Sequence, residues 1–176
     1  MRQPFRIFKA RRKRMEIERK WLIKKLPEQI ADEIGAGGYP QHSIIQGYLC
    51  TDPVVRVRKD NDQYYLTYKG KGKLSREEYN LPLNAEAFEK LVKKCEGIVL
   101  HKDRYEIPIE DNDLVIELDL FHGDYEGLIY AEVEFAEEEE ARSYVAPSWF
   151  GREVTYEKGY SNAALSQGSL ITRGKQ

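Results

Sequence analysis

The run Glu16-Ile17-Glu18-Arg19-Lys20 constrains this chain more than any other stretch. It heads an alternating, β-prone segment, and in an extended strand successive side chains point to opposite faces. Glu16, Glu18 and Lys20 then share one face, and Ile17, Arg19 and Trp21 share the other. Two carboxylates and an ammonium in a row cannot form an ordinary apolar core. A fold that uses this strand needs a polar interior that holds something charged.

The same alternation recurs. Further β-type segments lie at about 44–49, 54–59, 63–69, 75–82, 98–108, 113–121 and 128–135. Turns are expected at Asp60-Asn61-Asp62, Gly70-Lys71-Gly72-Lys73, Glu110-Asp111-Asn112-Asp113 and Gly123 to Gly127. Pro27 opens a short helix with Ile30, Ala31 and Ile34 on one side, ended by Gly35, Gly37 and Gly38. Asn84 is a good N-cap for a second helix, where Phe88, Leu91, Val92 and Cys95 make one face and Gly97 is the expected stop. Residues 137–145 read as a helix with four glutamates in its first turn, and a last one is expected at about 160–166. Eight strands in hairpin succession with helices at intervals give an α+β fold: a closed eight-stranded antiparallel β-barrel, or tunnel, with flanking helices.

Charge phase along the strands suggests what fills such a barrel. Arg56 is in phase with Arg58, Lys69 with Thr67, Lys102 with Arg104, Glu117 with Asp119, and Glu132 with Glu134, while Glu78 precedes Tyr79. Any one of these pairs is an ordinary solvated face of a half-buried sheet. The set is less ordinary, because each pair is dominated by one chemical type and flanked by bulky apolar residues. With the apolar residues packed outward, the lumen holds seven acids (Glu16, Glu18, Glu78, Glu117, Asp119, Glu132, Glu134). It also holds seven bases (Lys20, Arg56, Arg58, Lys69, Lys102, Arg104 and, from the C-terminal segment, Lys158). Paired carboxylates with oxygen-only donors suit a hard divalent ion such as Mg²⁺ or Mn²⁺. Clustered arginines and lysines suit a polyanion. The two together are the usual arrangement for phosphoryl transfer. No zinc motif, P-loop or complete G-x-G-x-x-G is present, and Gly70-x-Gly72 reads as a hairpin turn.

Composition sets the frame. A chain of 176 residues with 41% hydrophobic content supports one domain, placed at 15–166. No apolar run is long enough to span a bilayer. Cys50 and Cys95 lack metal or redox spacing and fit a reduced, cytoplasmic protein. Residues 1–14 carry seven basic residues and no acids, so the remainder of this chain of net charge -2 stands near -9. Such a leader fits a nucleic-acid or membrane-surface tail, but having no helical face it is read in preference as a disordered extension or misassigned start, with Met15 as the natural beginning and no nucleic-acid or membrane partner expected. Residues 167–176 are expected to be a disordered polar tail. His42, His101 and His122 have no metal spacing, and Trp21 and Trp149 are expected to pack between wall and helices.

The ordered series Glu16-x-Glu18-x-Lys20, Arg56-x-Arg58, Lys69, Glu78, Lys102-x-Arg104, Glu117-x-Asp119 and Glu132-x-Glu134 resembles the CYTH superfamily, the triphosphate tunnel metalloenzymes. Ser148-Trp149-Phe150-Gly151 through Lys158-x-Tyr160-x-Asn162 is similar to its small stand-alone bacterial members. The resemblance implies a tunnel that takes a triphosphate-containing small molecule with Mg²⁺ or Mn²⁺. It implies Glu16, Glu18, Glu132 and Glu134 as metal ligands. Glu117 and Asp119 would position water, with Lys20 as a third catalytic residue. Lys20, Arg56, Arg58, Lys69, Lys102, Arg104 and Lys158 would grip phosphates, with Glu78 beside them as a ligand or a partner to a base. The reaction expected is hydrolysis of inorganic triphosphate to diphosphate and phosphate. Thiamine or nucleoside triphosphatase, class IV adenylate cyclase and a non-enzymatic polyphosphate-binding module stay open as alternatives, as does a homodimer.

Overall fold

The structure, a computed structural model, describes residues 17–69, 78–109 and 113–171. The leader and Glu16 lie outside the described residues, as does the turn expected at 70–73. Eight strands are present: β1 (Ile17–Leu22), β2 (Gln41–Thr51), β3 (Val54–Asp60), β4 (Gln63–Lys69), β5 (Glu78–Leu83), β6 (Glu96–Pro108), β7 (Val115–His122) and β8 (Ile129–Phe135). Four helices join them: α1 (Glu28–Ala36), α2 (Ala85–Val92), α3 (Glu138–Ser143) and α4 (Asn162–Ser166). The strands form one sheet in the order β1-β8-β7-β6-β2-β3-β4-β5, antiparallel throughout. One cavity takes its lining from all eight strands, so the sheet curls around it as expected of a tunnel. Among the described residues no ladder joins β1 to β5, and the wall is barrel-like without a continuous ring of hydrogen bonds.

The outer edge of β1 is covered by a segment with no strand signal in the sequence. Leu22 N donates to Arg152 O (2.9 Å), Gly151 N to Leu22 O (2.9 Å) and Val154 N to Lys20 O (2.8 Å), while Lys20 N donates to Thr155 Oγ1 (3.0 Å). This satisfies backbone groups that an open edge would offer to another chain.

Apolar residues take the outward phase. Trp21, Tyr105, Ile107, Ile116, Leu118, Ala131, Val133 and Phe135 form one buried cluster, over which lie Ile30 and Ile34 of α1 and Ala141 of α3. Trp21 is wedged against Phe150 (5.1 Å between ring centroids) and Tyr144 (5.9 Å), and Trp149 packs on Phe150, so both tryptophans are packing residues. A second cluster of Tyr48, Leu100, Phe121, Tyr125, Tyr130 and Leu165 plugs one end of the barrel beneath α4.

Two expectations are corrected here. Gly97 does not stop a helix. The helix ends at Val92, and Gly97 lies in β6 with φ +72°, where a Cβ would collide with the Ser166 carbonyl at the end of α4. Of the stretch expected to be a disordered tail, the described residues 167–171 are held against the fold. The Tyr125 hydroxyl shares its one proton between the carbonyls of Leu165 (2.5 Å) and Ser169 (2.7 Å), and Ser169 Oγ donates to Gly159 O. A buried phenol needing acceptors holds that stretch down.

On α2, Asn84 Oδ1 accepts from Ala87 N (2.8 Å), and Phe88, 1% exposed, packs on Tyr64 (5.4 Å). Phe88→Ala leaves a cavity in the apolar packing under α2. It should lower unfolding free energy by about 3–5 kcal/mol, read by urea denaturation; a change below about 1 kcal/mol would contradict the packing role of α2.

Candidate active site

Residues directly opposite each other on antiparallel strands share a face. The registers bring the in-phase charges together on the lumen side. Glu18 stands opposite Glu134 and Lys20 opposite Glu132. Glu132 is opposite Glu117, and Asp119 is opposite Arg104. On the far side Arg58 is opposite Gln46, Arg56 opposite Tyr48, and Lys69 opposite Glu78. The cavity between these walls has a volume of about 920 Å³. Glu18, Lys20, Glu132, Glu134, Glu117 and Arg104 line it from β1, β8, β7 and β6. Arg56, Arg58 and Lys69 line it from β3 and β4, and Ser161, Asn162 and Ala163 reach it from the start of α4.

The acidic wall is internally paired. Lys20 Nζ lies 2.7 Å from Glu132 Oε1. Arg104 donates Nε to Asp119 Oδ1 (2.6 Å) and Nη2 to Asp119 Oδ2 and Glu132 Oε2 (2.7 Å each), and its Nη1 binds Glu117. Lys102 Nζ binds Asp119 Oδ2. Asp119, with 0% exposure, and Lys102, with 2%, sit behind the lining and do not reach the cavity.

These contacts set the protonation states. Burial alone would lower the Lys20 pKa, but Glu132 and then Glu18 outweigh it and raise it. Burial also opposes the Arg104 charge, and Asp119, Glu132 and Glu117 more than restore it. Glu132 would rise by burial, yet Lys20, Arg104 and Lys102 hold it well below the carboxylate range. Glu117 keeps a raised pKa, chiefly through burial. Burial, then the adjacent Arg104, brings Lys102 down to about 8.

Some expected residues are not in this assembly. Lys158 is exposed on the short 3₁₀ turn Lys158–Tyr160 and does not line the cavity. Glu16 lies outside the described residues, and so does the Glu78 side chain, whose backbone pairs with Lys69. Among the described residues no three His, Cys, Asp or Glu side chains form a ready metal site. Lumen residues that charge phase overlooked are Gln46, Tyr48, Tyr65 and Asn80. Alternation alone could have found them, since Tyr65 and Thr67 are in phase with Lys69, and Gln46 with Tyr48. Tyr48 and Tyr65 turn their hydroxyls toward Gln46 and Arg58 on the lumen side.

The CYTH domain family model matches residues 14–173. The chain is 38% identical over 154 residues to the inorganic triphosphatase of Nitrosomonas europaea, covering 86% of this chain and 96% of that protein. It is 42% identical over 125 residues to the inorganic triphosphatase of Acetivibrio thermocellus, covering 68% and 77%. The crystal structure of an inorganic triphosphatase superposes with a TM-score of 0.66 at 35% identity, covering 86% of this chain and 93% of that one.

Glu132→Gln leaves Lys20 without its carboxylate and removes one from Arg104. The loss should be about 3–5 kcal/mol of unfolding free energy, and an unchanged denaturation midpoint would show that the network is not buried as described. Lys102 gives a pH signature. The folded protein releases its proton near pH 8, whereas an unfolded lysine keeps its proton to about pH 10.4. The unfolded state therefore binds more protons across this window, and stability rises from pH 8 toward 10. Lys102→Met should flatten that rise in urea titrations; the same slope in both proteins would refute the assignment.

Proposed function

Since this chain belongs to the CYTH domain family, we propose that it hydrolyses inorganic triphosphate with the help of a divalent metal ion. The observation that carries this reading is the facing of two walls across one cavity: carboxylates on β1, β7 and β8, and cations on β3 and β4. The relatives named inorganic triphosphatase support the substrate.

Glu18 and Glu134 are directly opposed on the lumen face, an arrangement of like charges that a cation between them would favour. Mg²⁺ is commonly held by one or two carboxylates together with substrate phosphates, so this pair fits Mg²⁺ or Mn²⁺. Glu132 is next to it but is engaged by Lys20 and Arg104, and Glu16 is the further ligand that the family pattern implies. When bound, the ion supplies positive charge to the phosphate oxygens.

The chain's own residues divide the remaining work. Arg56, Arg58 and Lys69 receive the anion, arginine forks matching phosphate oxygens in pairs. Glu117, half-buried at the cavity wall with its raised pKa, orients the attacking water and takes its proton. The water oxygen bonds to the terminal phosphorus as the bridging P–O bond breaks and diphosphate leaves. Lys20 and Arg104 stabilise the charge that develops on the leaving oxygen. Asp119 reaches neither water nor substrate from its buried position, and its part is to fix Arg104 and Lys102. Tyr48 and Tyr65 direct their hydroxyls into the hydrogen bonds of the basic wall, which favours a substrate without a base. Among the described residues no helix is long and apolar enough to cross a membrane, and the free thiols Cys50 and Cys95 fit a cytoplasmic location.

Phosphate release with Mg²⁺ from triphosphate, ATP and thiamine triphosphate tests the reading. Triphosphate should be turned over best; ATP turned over equally well would remove the inorganic specificity, and inactivity on all three would remove the enzyme. Glu18→Ala should cost about a hundredfold or more in kcat, equivalent to roughly 3 kcal/mol of lost charge stabilisation, whereas a binding module would keep its affinity.

A further inference from the structure

We propose that Gln46 is a positioning residue that presents Arg58 to the triphosphate anion as an un-neutralised cation; the proposal rests on the triphosphatase reading above. Gln46 is 1% exposed and sits on the lumen face of β2 directly opposite Arg58. Arg58 Nε donates to Gln46 Oε1 (2.7 Å), and Gln46 Nε2 donates to the Tyr48 hydroxyl (2.9 Å). These two partners fix which way the amide points. Turned over, its NH₂ would face the guanidinium, donor against donor. Arg58 Nη1 reaches the Tyr65 hydroxyl (3.4 Å), with the guanidinium carbon 5.9 Å from that ring's centroid.

The contrast with the opposite wall gives this its meaning. Lys20, Lys102 and Arg104 are each bound to carboxylates, so much of their charge is already answered within the protein. Arg58 is held by an amide and a phenol, and no carboxylate pairs with it among the described residues. A neutral acceptor at Nε orients the fork without cancelling its charge, and Nη2 is left for a ligand in the cavity Arg58 lines. Arg58 is therefore oriented and charged before the anion arrives, which reduces the ordering cost of binding.

The test separates orientation from charge. Gln46→Glu preserves length and the bond to Nε but neutralises Arg58. It should raise KM for triphosphate, and Kd for triphosphate titrated without metal, by about tenfold or more, with kcat within about threefold. Gln46→Met, equal in length without an acceptor, should raise both in the same direction, and Tyr48→Phe, which frees the amide to turn, by about two- to threefold. If Gln46 served only packing, Gln46→Glu would leave KM unchanged in any folded variant. Should Gln46→Glu fail to fold, Gln46→Met decides: a raised KM supports the role, and a KM within twofold of wild type overturns it. Wild-type protein that cleaves triphosphate while every folded variant keeps its KM overturns the role of Gln46 alone. Wild-type protein that binds triphosphate without cleaving it overturns the functional reading and leaves Gln46 to be judged by Kd. Wild-type protein that does neither overturns both.

Discussion

Arg104 holds the charged half of this protein together. Its fork reaches Asp119 by two nitrogens, Glu117 by a third and Glu132 through a shared one. One guanidinium on β6 thereby ties together carboxylates on β7 and β8, and Glu132 passes the tie on to Lys20 of β1. Carboxylates this close would repel one another in a dry interior, and a lysine could not reach all of them. The planar, permanently charged fork is what allows Asp119 and Glu132 to be buried side by side, with Glu117 next to them at the cavity wall. Such a network adds little net stability over an apolar core, since desolvation offsets most of its attraction. What it provides is a fixed arrangement in which strand register and side-chain position depend on each other.

A sheet with its charges inside has to find its hydrophobic stabilisation elsewhere. Here the apolar phase of the same strands faces outward and is covered by α1, α3 and the stretch through Trp149 and Phe150. The aromatic plug under α4 closes one end. The helices are thus structural necessities, because the apolar side of β1, β7 and β8 would otherwise lie in water.

Period-two alternation was the strongest signal in the sequence, and it carried most of the site. Because direct partners share a face, phase within each strand puts Arg104, Asp119, Lys20 and Glu132 on one face, and the registers decide that Arg104 stands beside Asp119 and Lys20 beside Glu132. What alternation could not convey is depth. Asp119 and Glu117 are in phase, yet one is sealed behind Arg104 and the other borders the cavity. Lys158 lies in a segment with no period at all, and the structure places it outside the cavity. Gln46 was missed for a different reason, since a neutral side chain gives no charge pattern to follow. The cover of β1 by Gly151–Thr155 rests on backbone groups and had no side-chain signature to detect.

The position of β1 also bears on how the protein is made. Its ladder partners are Tyr130 to Phe135, and its other edge is covered by residues 151 to 155. The segment carrying Glu18 and Lys20 is therefore synthesised well before its partners and can take its place in the sheet only after residues 130 to 155 have followed. Pairings this distant in sequence form slowly, because a long loop must close before any contact rewards it. By contrast, β2, β3, β4 and β5 pair in succession, and so do β6, β7 and β8. The phosphate-facing strands and the β6–β8 meander can thus each be assembled from local hairpins, while Glu18 and Lys20 join the site only when β1 docks on β8.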